Sequence, residues 1–308
     1  MSNAQFLKKG YRLLECIFFS NCFYGLCAVA LSVEATLQQG FTLNGLAYYL
    51  ITFFATVLYY TYPYVRKCPL ITTNKRTNWY TRNYAWVCFS QLAISVILLV
   101  SFGLFLWIYP AEVSAMAIVE WSLILVFPFT AALYYGINII PGKCNIRKIG
   151  WLKPFVIGFI WAGMVTIYPV LFHNIIHRQN YQFTRVGLLL FVKNFMFITV
   201  SCIMFDIKDY ATDYINRLRT FVVKLGLRKT VYRILVPLSL FGLFSFICYA
   251  LFHHFHPGRL IFNVIPFILL IVAAISLCRR RPLMYYLVIV DGLMLVKALC
   301  GSVAILYF

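Results

Sequence analysis

Acidic residues are scarce in this 308-residue chain: eight Asp and Glu stand against 27 Lys and Arg. Charged residues of either sign make up only 11% of it, while 63% are hydrophobic and the mean hydropathy is +0.84. That shortage of charge excludes an ordinary soluble globule, because the apolar surface far exceeds what one core can bury. The ten cysteines form no CxxC pair and no metal-type spacing, so they are small apolar packing residues and not a disulfide framework. Strict apolar–polar alternation is also missing, which excludes a transmembrane barrel. Low-complexity segments and a separate soluble domain are absent. The longest polar stretches, at about 66–83, 137–153 and 207–230, are loops between apolar runs.

What the chain does contain is apolar length. Nine runs are each long enough to cross a bilayer: 14–34, 44–65, 84–108, 115–136, 154–175, 186–206, 231–252, 259–277 and 283–305. Each predicts a helix, since only a helix satisfies its own backbone groups in lipid. The first follows a basic patch but is too long and aromatic for a cleaved signal peptide. The expected class is therefore an all-α polytopic membrane protein with nine transmembrane helices in one domain over 1–308. With the N-terminus inside, internal segments carry 22 Lys and Arg and external ones 3, which predicts a cytoplasmic N-terminus and an external C-terminus. The net charge of +19 is then a topology signal with affinity for anionic lipid, and no nucleic-acid partner is expected. The order of spans also fits a weak duplication, four helices followed by four, with a ninth appended.

Three of the eight acids fall in one stretch, Phe205-Asp206-Ile207-Lys208-Asp209-Tyr210-Ala211-Thr212-Asp213. On a continuous helix, positions three and then four apart lie within roughly 60° of one another, so Asp206, Asp209 and Asp213 would share one carboxylate edge. Such an edge can hold Mg²⁺, which is bound through one or two carboxylates and completed by water and substrate phosphates. The alternative is a solvated helix whose acids pair with Lys208, Arg217 and Arg219.

This stretch, continuing through Leu218-Arg219-Thr220 and Lys224-Leu225-Gly226, resembles the second aspartate-rich motif of the UbiA superfamily of intramembrane prenyltransferases. The run Arg147-Lys148-Ile149-Gly150-Trp151-Leu152-Lys153-Pro154-Phe155, followed by Trp161, is similar to the start of that family's fifth helix. The resemblance implies a bundle around a central cavity, with Mg²⁺ held by Asp206, Asp209 and Asp213. It further implies a polyprenyl diphosphate gripped by Lys153, Arg147, Arg66, Lys67 and Arg219, and a lipophilic, often aromatic, acceptor reached from the bilayer. The location expected is a bacterial inner membrane. The chain departs from the family at its first motif. Where spaced aspartates belong, Tyr59-Tyr60-Thr61-Tyr62-Pro63-Tyr64-Val65-Arg66-Lys67 has no acid, nor does any position up to Asn83. Two readings stay open: transfer chemistry with one metal plus the basic residues Arg66, Lys67, Lys75 and Arg76, or a non-catalytic descendant that binds lipid or a partner. A transporter is a third class, which would need more polar residues near mid-membrane.

The other charges divide between topology and packing. Lys143, Arg147, Lys148 and Lys153 share one internal loop and satisfy the positive-inside rule whether or not they touch phosphate. Lys193, Asp291 and Lys297 are ionisable groups within spans, where such groups are costly. Lys193 precedes Asp206 by thirteen residues, about 20 Å along a helix, too far to share its site. Asp291 and Lys297 are six apart, on different helix faces. All three are expected to bond between helices or snorkel. His253, His254 and His256 mark an external turn with too few ligands for a metal. Glu15 and Asp291 are the other acids that could approach Asp206, Glu15 from nearer the cytoplasmic surface.

Overall fold

The structure is a computed structural model that describes residues 13–66, 74–135 and 149–308. The described residues are 83% helical, with no strand among them. In chain order the helices are α1 (Leu13–Phe19), α2 (Cys22–Gln38), α3 (Leu46–Arg66), α4 (Lys75–Arg82), α5 (Tyr84–Ile108), α6 (Pro110–Ser114), α7 (Ile118–Tyr135) and α8 (Lys153–Ile176). They continue with α9 (Arg185–Lys208), α10 (Tyr210–Ile215), α11 (Phe221–Leu225), α12 (Leu227–Phe252), α13 (Pro257–Ser276) and α14 (Leu283–Leu306).

Among the described residues, six helices are long and apolar enough to cross a membrane: α5, α8, α9, α12, α13 and α14. A seventh span results if α1 and α2, bent by 67°, count as one. The expected spans 44–65 and 115–136 correspond to α3 and α7, which fall short for different reasons. Six tyrosines dilute the hydropathy of α3, and within the described residues the apolar part of α7, Ile118–Tyr134, is shorter than a full span. The described residues thus hold six to seven candidate spans of a multi-helix protein, a coarser result than nine.

The chain divides into two compact units, Met1–Val29 with Asn44–Ala115, and Ala30–Leu43 with Met116–Phe308. In the first, α1 breaks from α2 at Asn21, which takes a left-handed φ of 66°. Asparagine tolerates that region because its short amide can bond locally. Its Nδ2 donates to Thr61 Oγ1 and to Tyr80 Oη, each at 2.9 Å, and its Oδ1 accepts from Arg76. Tyr80 Oη in turn donates to the Phe19 carbonyl at 2.6 Å, and its ring stacks on Tyr64 at 3.9 Å. One buried amide therefore ties the α1–α2 break to α3 and α4. Burial raises the Tyr80 hydroxyl above the ordinary phenol range, which keeps it a donor.

In the second unit, α8 and α9 pair antiparallel: Lys153 meets Asp206 at one end, and Asn194 Nδ2 donates to Thr166 Oγ1 at 2.8 Å halfway along. Phe197, Ile203, Met204, Phe267 and Leu270 are buried, and Phe197 of α9 meets Phe267 of α13 edge-on with ring centroids 5.9 Å apart. Both α8 and α12 contain one wider π turn, Gly163–Ile167 and Val231–Leu235. Each lies just before a proline, Pro169 or Pro237. A proline ring collides with the carbonyl four residues back and removes one helical hydrogen bond. Here that carbonyl belongs to Val165 or Arg233, inside the widened turn, so the π turn absorbs the clash without ending the helix.

Candidate functional site

The antiparallel pairing of α8 and α9 brings the first residue of one helix to the last turns of the other. Lys153 opens α8 with Pro154 beside it, a position where the missing proline N–H costs no helical bond. Immediately before it, the turn around Gly150 lies against the backbone of 219–220. A Cβ on Gly150 would sit 2.7 Å from Thr220 N and 2.8 Å from Arg219 C, so only glycine permits this approach. Thr220 is buried and caps α11, accepting from Val223 N at 3.4 Å. The segment that follows the aspartates is thereby held against the start of α8.

Lys153 Nζ lies 3.0 Å from Asp206 Oδ1. The Asp206 side chain is 0% exposed and the Lys153 side chain 26%, so the pair is dry on the carboxylate side and reachable on the ammonium side. Asp213 is also buried. Its own N–H bonds the Asp209 carbonyl and its carbonyl accepts from Leu218 N, both at 2.9 Å, which fixes its backbone. Burial holds the Asp213 carboxyl above the usual carboxylate range, against the pull of Lys153 and with a further push from Asp209. The Oδ2 atoms of Asp206 and Asp213 are both buried without a hydrogen-bond partner. Unfilled buried acceptors are rare, and each calls for a proton, water or cation.

The three-acid edge expected from the spacing does not form. α9 ends at Lys208, Asp209 caps it, and Asp213 belongs to the separate helix α10. Asp209 turns outward, 41% exposed, with Oδ1 3.1 Å from Lys208 Nζ. The site is therefore two buried carboxylates and one lysine. Arg219 is exposed, and its contribution here is its backbone against Gly150. Lys67, Arg147 and the side chain of Arg66 lie outside the described residues. Asp291 is buried, and like Asp206 it lies within electrostatic reach of Cys202, so it belongs to the same end of the second unit.

Among the described residues, no three His, Cys, Asp or Glu side chains converge as a metal-binding group. Two hard carboxylates with unfilled oxygens are nonetheless a donor set that suits Mg²⁺, which takes one or two carboxylates and fills its remaining positions with water or phosphate. Sequence reasoning also missed a second charged cluster. Glu34 was not singled out, yet it is the acid that both intramembrane lysines bind. The signal available was arithmetic: two lysines within apolar spans required a buried acid from another span.

Fold and site together define a polytopic helical membrane protein with a buried carboxylate–lysine site at one end of its second unit. No family model, no curated protein and no solved structure matches the chain.

Proposed function

We propose that this chain is a UbiA-like intramembrane prenyltransferase whose diphosphate-binding end is built on Lys153, Asp206 and Asp213. One observation carries the reading: where α8 begins and α9 ends, the partly exposed Lys153 pairs with Asp206, Asp213 on α10 lies within electrostatic reach, and both carboxylates keep a buried unfilled oxygen. Asp206 and Asp213 would hold a divalent cation such as Mg²⁺, which when bound would supply positive charge to a leaving diphosphate. Lys153 adds a cation that pairs with phosphate oxygens. In the transfer, the allylic C–O bond breaks, the diphosphate leaves with the electron pair, and the acceptor forms the new bond and loses a proton. An apolar, aromatic-rich surrounding protects the allylic cation from water. The topology proposed with it has nine spans, α3 and α7 included, a cytoplasmic N-terminus, an external C-terminus and a bacterial inner membrane.

A second reading, binding of a diphosphate lipid without transfer, is favoured by the Lys153–Asp206 pair itself, because the lysine already neutralises one of the two carboxylates. The acid-free segment from Arg66 to Asn83 favours it as well. Proteoliposomes given geranylgeranyl diphosphate and Mg²⁺ separate the two. Pyrophosphate release that falls at least about 100-fold in Asp213→Asn, and stays within about twofold in Asp209→Asn, is the outcome expected of a transferase. Binding without release supports the second reading, and absence of both removes the site.

A further inference from the structure

The end of the second unit where α9 stops carries a surface that the carboxylate–lysine site does not use. Both α9 and α12 are candidate spans, so the short connection between them, from Asp209 to Gly226, lies where a bilayer would end. It is packed in place. Phe221 meets Phe155 of α8 with ring centroids 6.2 Å apart, Thr220 and Val222 are buried, and the Leu218 N–H bonds the Asp213 carbonyl at 2.9 Å. Thr230, buried in the first turn of α12, donates to the Gly226 carbonyl at 2.9 Å. These contacts hold one side of the segment against the bundle and leave the other facing out.

Two kinds of residue alternate on that outer side. Arg217, Arg219, Lys224, Arg228, Lys229 and Arg233 are all exposed. Their charge is unopposed: the chain has no Asp or Glu from Tyr214 to Val290, and among the described residues no ion pair holds any of these six. Between them stand large apolar side chains that contact with water alone does not favour. Ile215 is 79% exposed and Tyr214 64%, and Leu225 and Tyr232 are exposed as well. Tyr214 stacks on Tyr210, their ring centroids 6.1 Å apart. Trp151, beside the Gly150 that touches the 219–220 backbone, adds another exposed ring. The turn from α13 to α14 brings exposed Arg279, Arg280 and Arg281 to the same end, which the contact of Phe205 on α9 with Tyr286 on α14, at 5.8 Å, identifies.

We infer that the outer side of residues 210–233 is an interfacial binding surface for anionic phospholipid, with tyrosine and aliphatic side chains at headgroup depth and the arginines and lysines on lipid phosphates. Interleaved rings and cations are what a membrane boundary selects: rings sit between headgroup and acyl chain, and cations meet the negative leaflet surface. The position assigns the occupant. A surface fixed at the level where α9 and α12 enter the bilayer meets lipid headgroups at lipid concentration, ahead of any soluble acidic partner. The inference is independent of whether the neighbouring site transfers a prenyl group.

Hydrogen–deuterium exchange of the full chain in lipid nanodiscs tests it, comparing discs of phosphatidylcholine alone with discs in which about a third of the lipid is phosphatidylglycerol. Exchange across 210–233 should slow at least about fivefold in the anionic discs, and high salt should reverse the effect. The triple variant Arg228→Gln/Lys229→Gln/Arg233→Gln should lose that slowing, while its exchange in phosphatidylcholine stays that of the parent chain and so shows the fold intact. Tyr214→Ser/Ile215→Ser should lose part of it. Soluble glycerol phosphate added to phosphatidylcholine discs should protect nothing, because a free anion lacks the fixed array of a leaflet. Equal exchange of the parent chain in the two kinds of disc, or slowing that the triple variant keeps, would overturn the inference. So would protection by soluble polyglutamate that phosphatidylglycerol does not reproduce, which would mark the surface as a site for an acidic protein instead.

Discussion

The second unit carries two buried ionic clusters on the same helix, and they are opposite in both composition and access. At one end of α9, Asp206 pairs with a lysine that is 26% exposed, and a second buried acid, Asp213, lies within electrostatic reach of that lysine. At the other, two lysines share one acid and every member is at most 4% exposed. An acid-rich cluster with an open cation can exchange its partner for a metal or a phosphate. A base-rich cluster sealed among helices has no open side from which a ligand could reach it. Position along one helix thus separates what could be a ligand site from what holds the bundle together.

The largest effect expected from this contrast is at Glu34. Glu34→Gln leaves Lys193 and Lys297 without a carboxylate in the interior, and breaking a buried pair in this way costs about 3–5 kcal/mol. Thermal or denaturant unfolding in mild detergent measures it, and a loss below about 1 kcal/mol would show that the sealed cluster holds nothing together. Lys153→Met removes the hydrogen-bond partner of Asp206, but solvent reaches the lysine, so a smaller loss of about 1–2 kcal/mol is expected. The same variant should retain divalent-cation binding, by calorimetry, while diphosphate binding weakens. If cation binding disappears with the lysine, the two acids are not a ligand pair.

The smallest effect concerns pH. Because burial raises Asp213, its protonated form is favoured in the folded chain relative to the unfolded one. Its contribution to stability is present below the ordinary Asp range and is lost as pH rises through the raised value. Asp213→Asn should abolish that decline. Cation binding has the opposite sign, since it needs the carboxylate. Mg²⁺ affinity should weaken on acidification at a pH above the range where exposed aspartates titrate, and should do so less in a chain where Asp213 is already Asn.

The helices were legible in the sequence because apolar length is a local property, and the limits of α9 and α12 to α14 fall within a few residues of the expected spans. The tyrosine-rich α3 and the short apolar part of α7 show where that signal weakens. The aspartate site was half legible. The spacing of Asp206, Asp209 and Asp213 places them together only on an unbroken helix, and α9 stops where its apolar run meets the charged Lys208-Asp209 pair. Asp209 then faces solvent, and Asp213 is buried by a different route, through the turn to Leu218. Lys153 stands in the sequence as one of four cations on a basic loop, and its contact with Asp206 follows only from the antiparallel run of α8 and α9. Lys193 and Lys297 were conspicuous as isolated charges, but Glu34 lies 263 residues from Lys297 and no local pattern connects them.

The π turns in α8 and α12 have a geometric result of their own. Each accommodates one residue more than a regular turn, which rotates everything downstream by about 100° about the helix axis. In α8 this means that Lys153 and Phe155, before Gly163–Ile167, and His173, after it, do not follow a single 3.6-residue stripe. A helical wheel drawn straight through Pro169 would therefore assign the wrong side of the cylinder to its last two turns, and deleting one residue within Gly163–Ile167 would swing Val170, Leu171 and Asn174 out of the interior they now occupy.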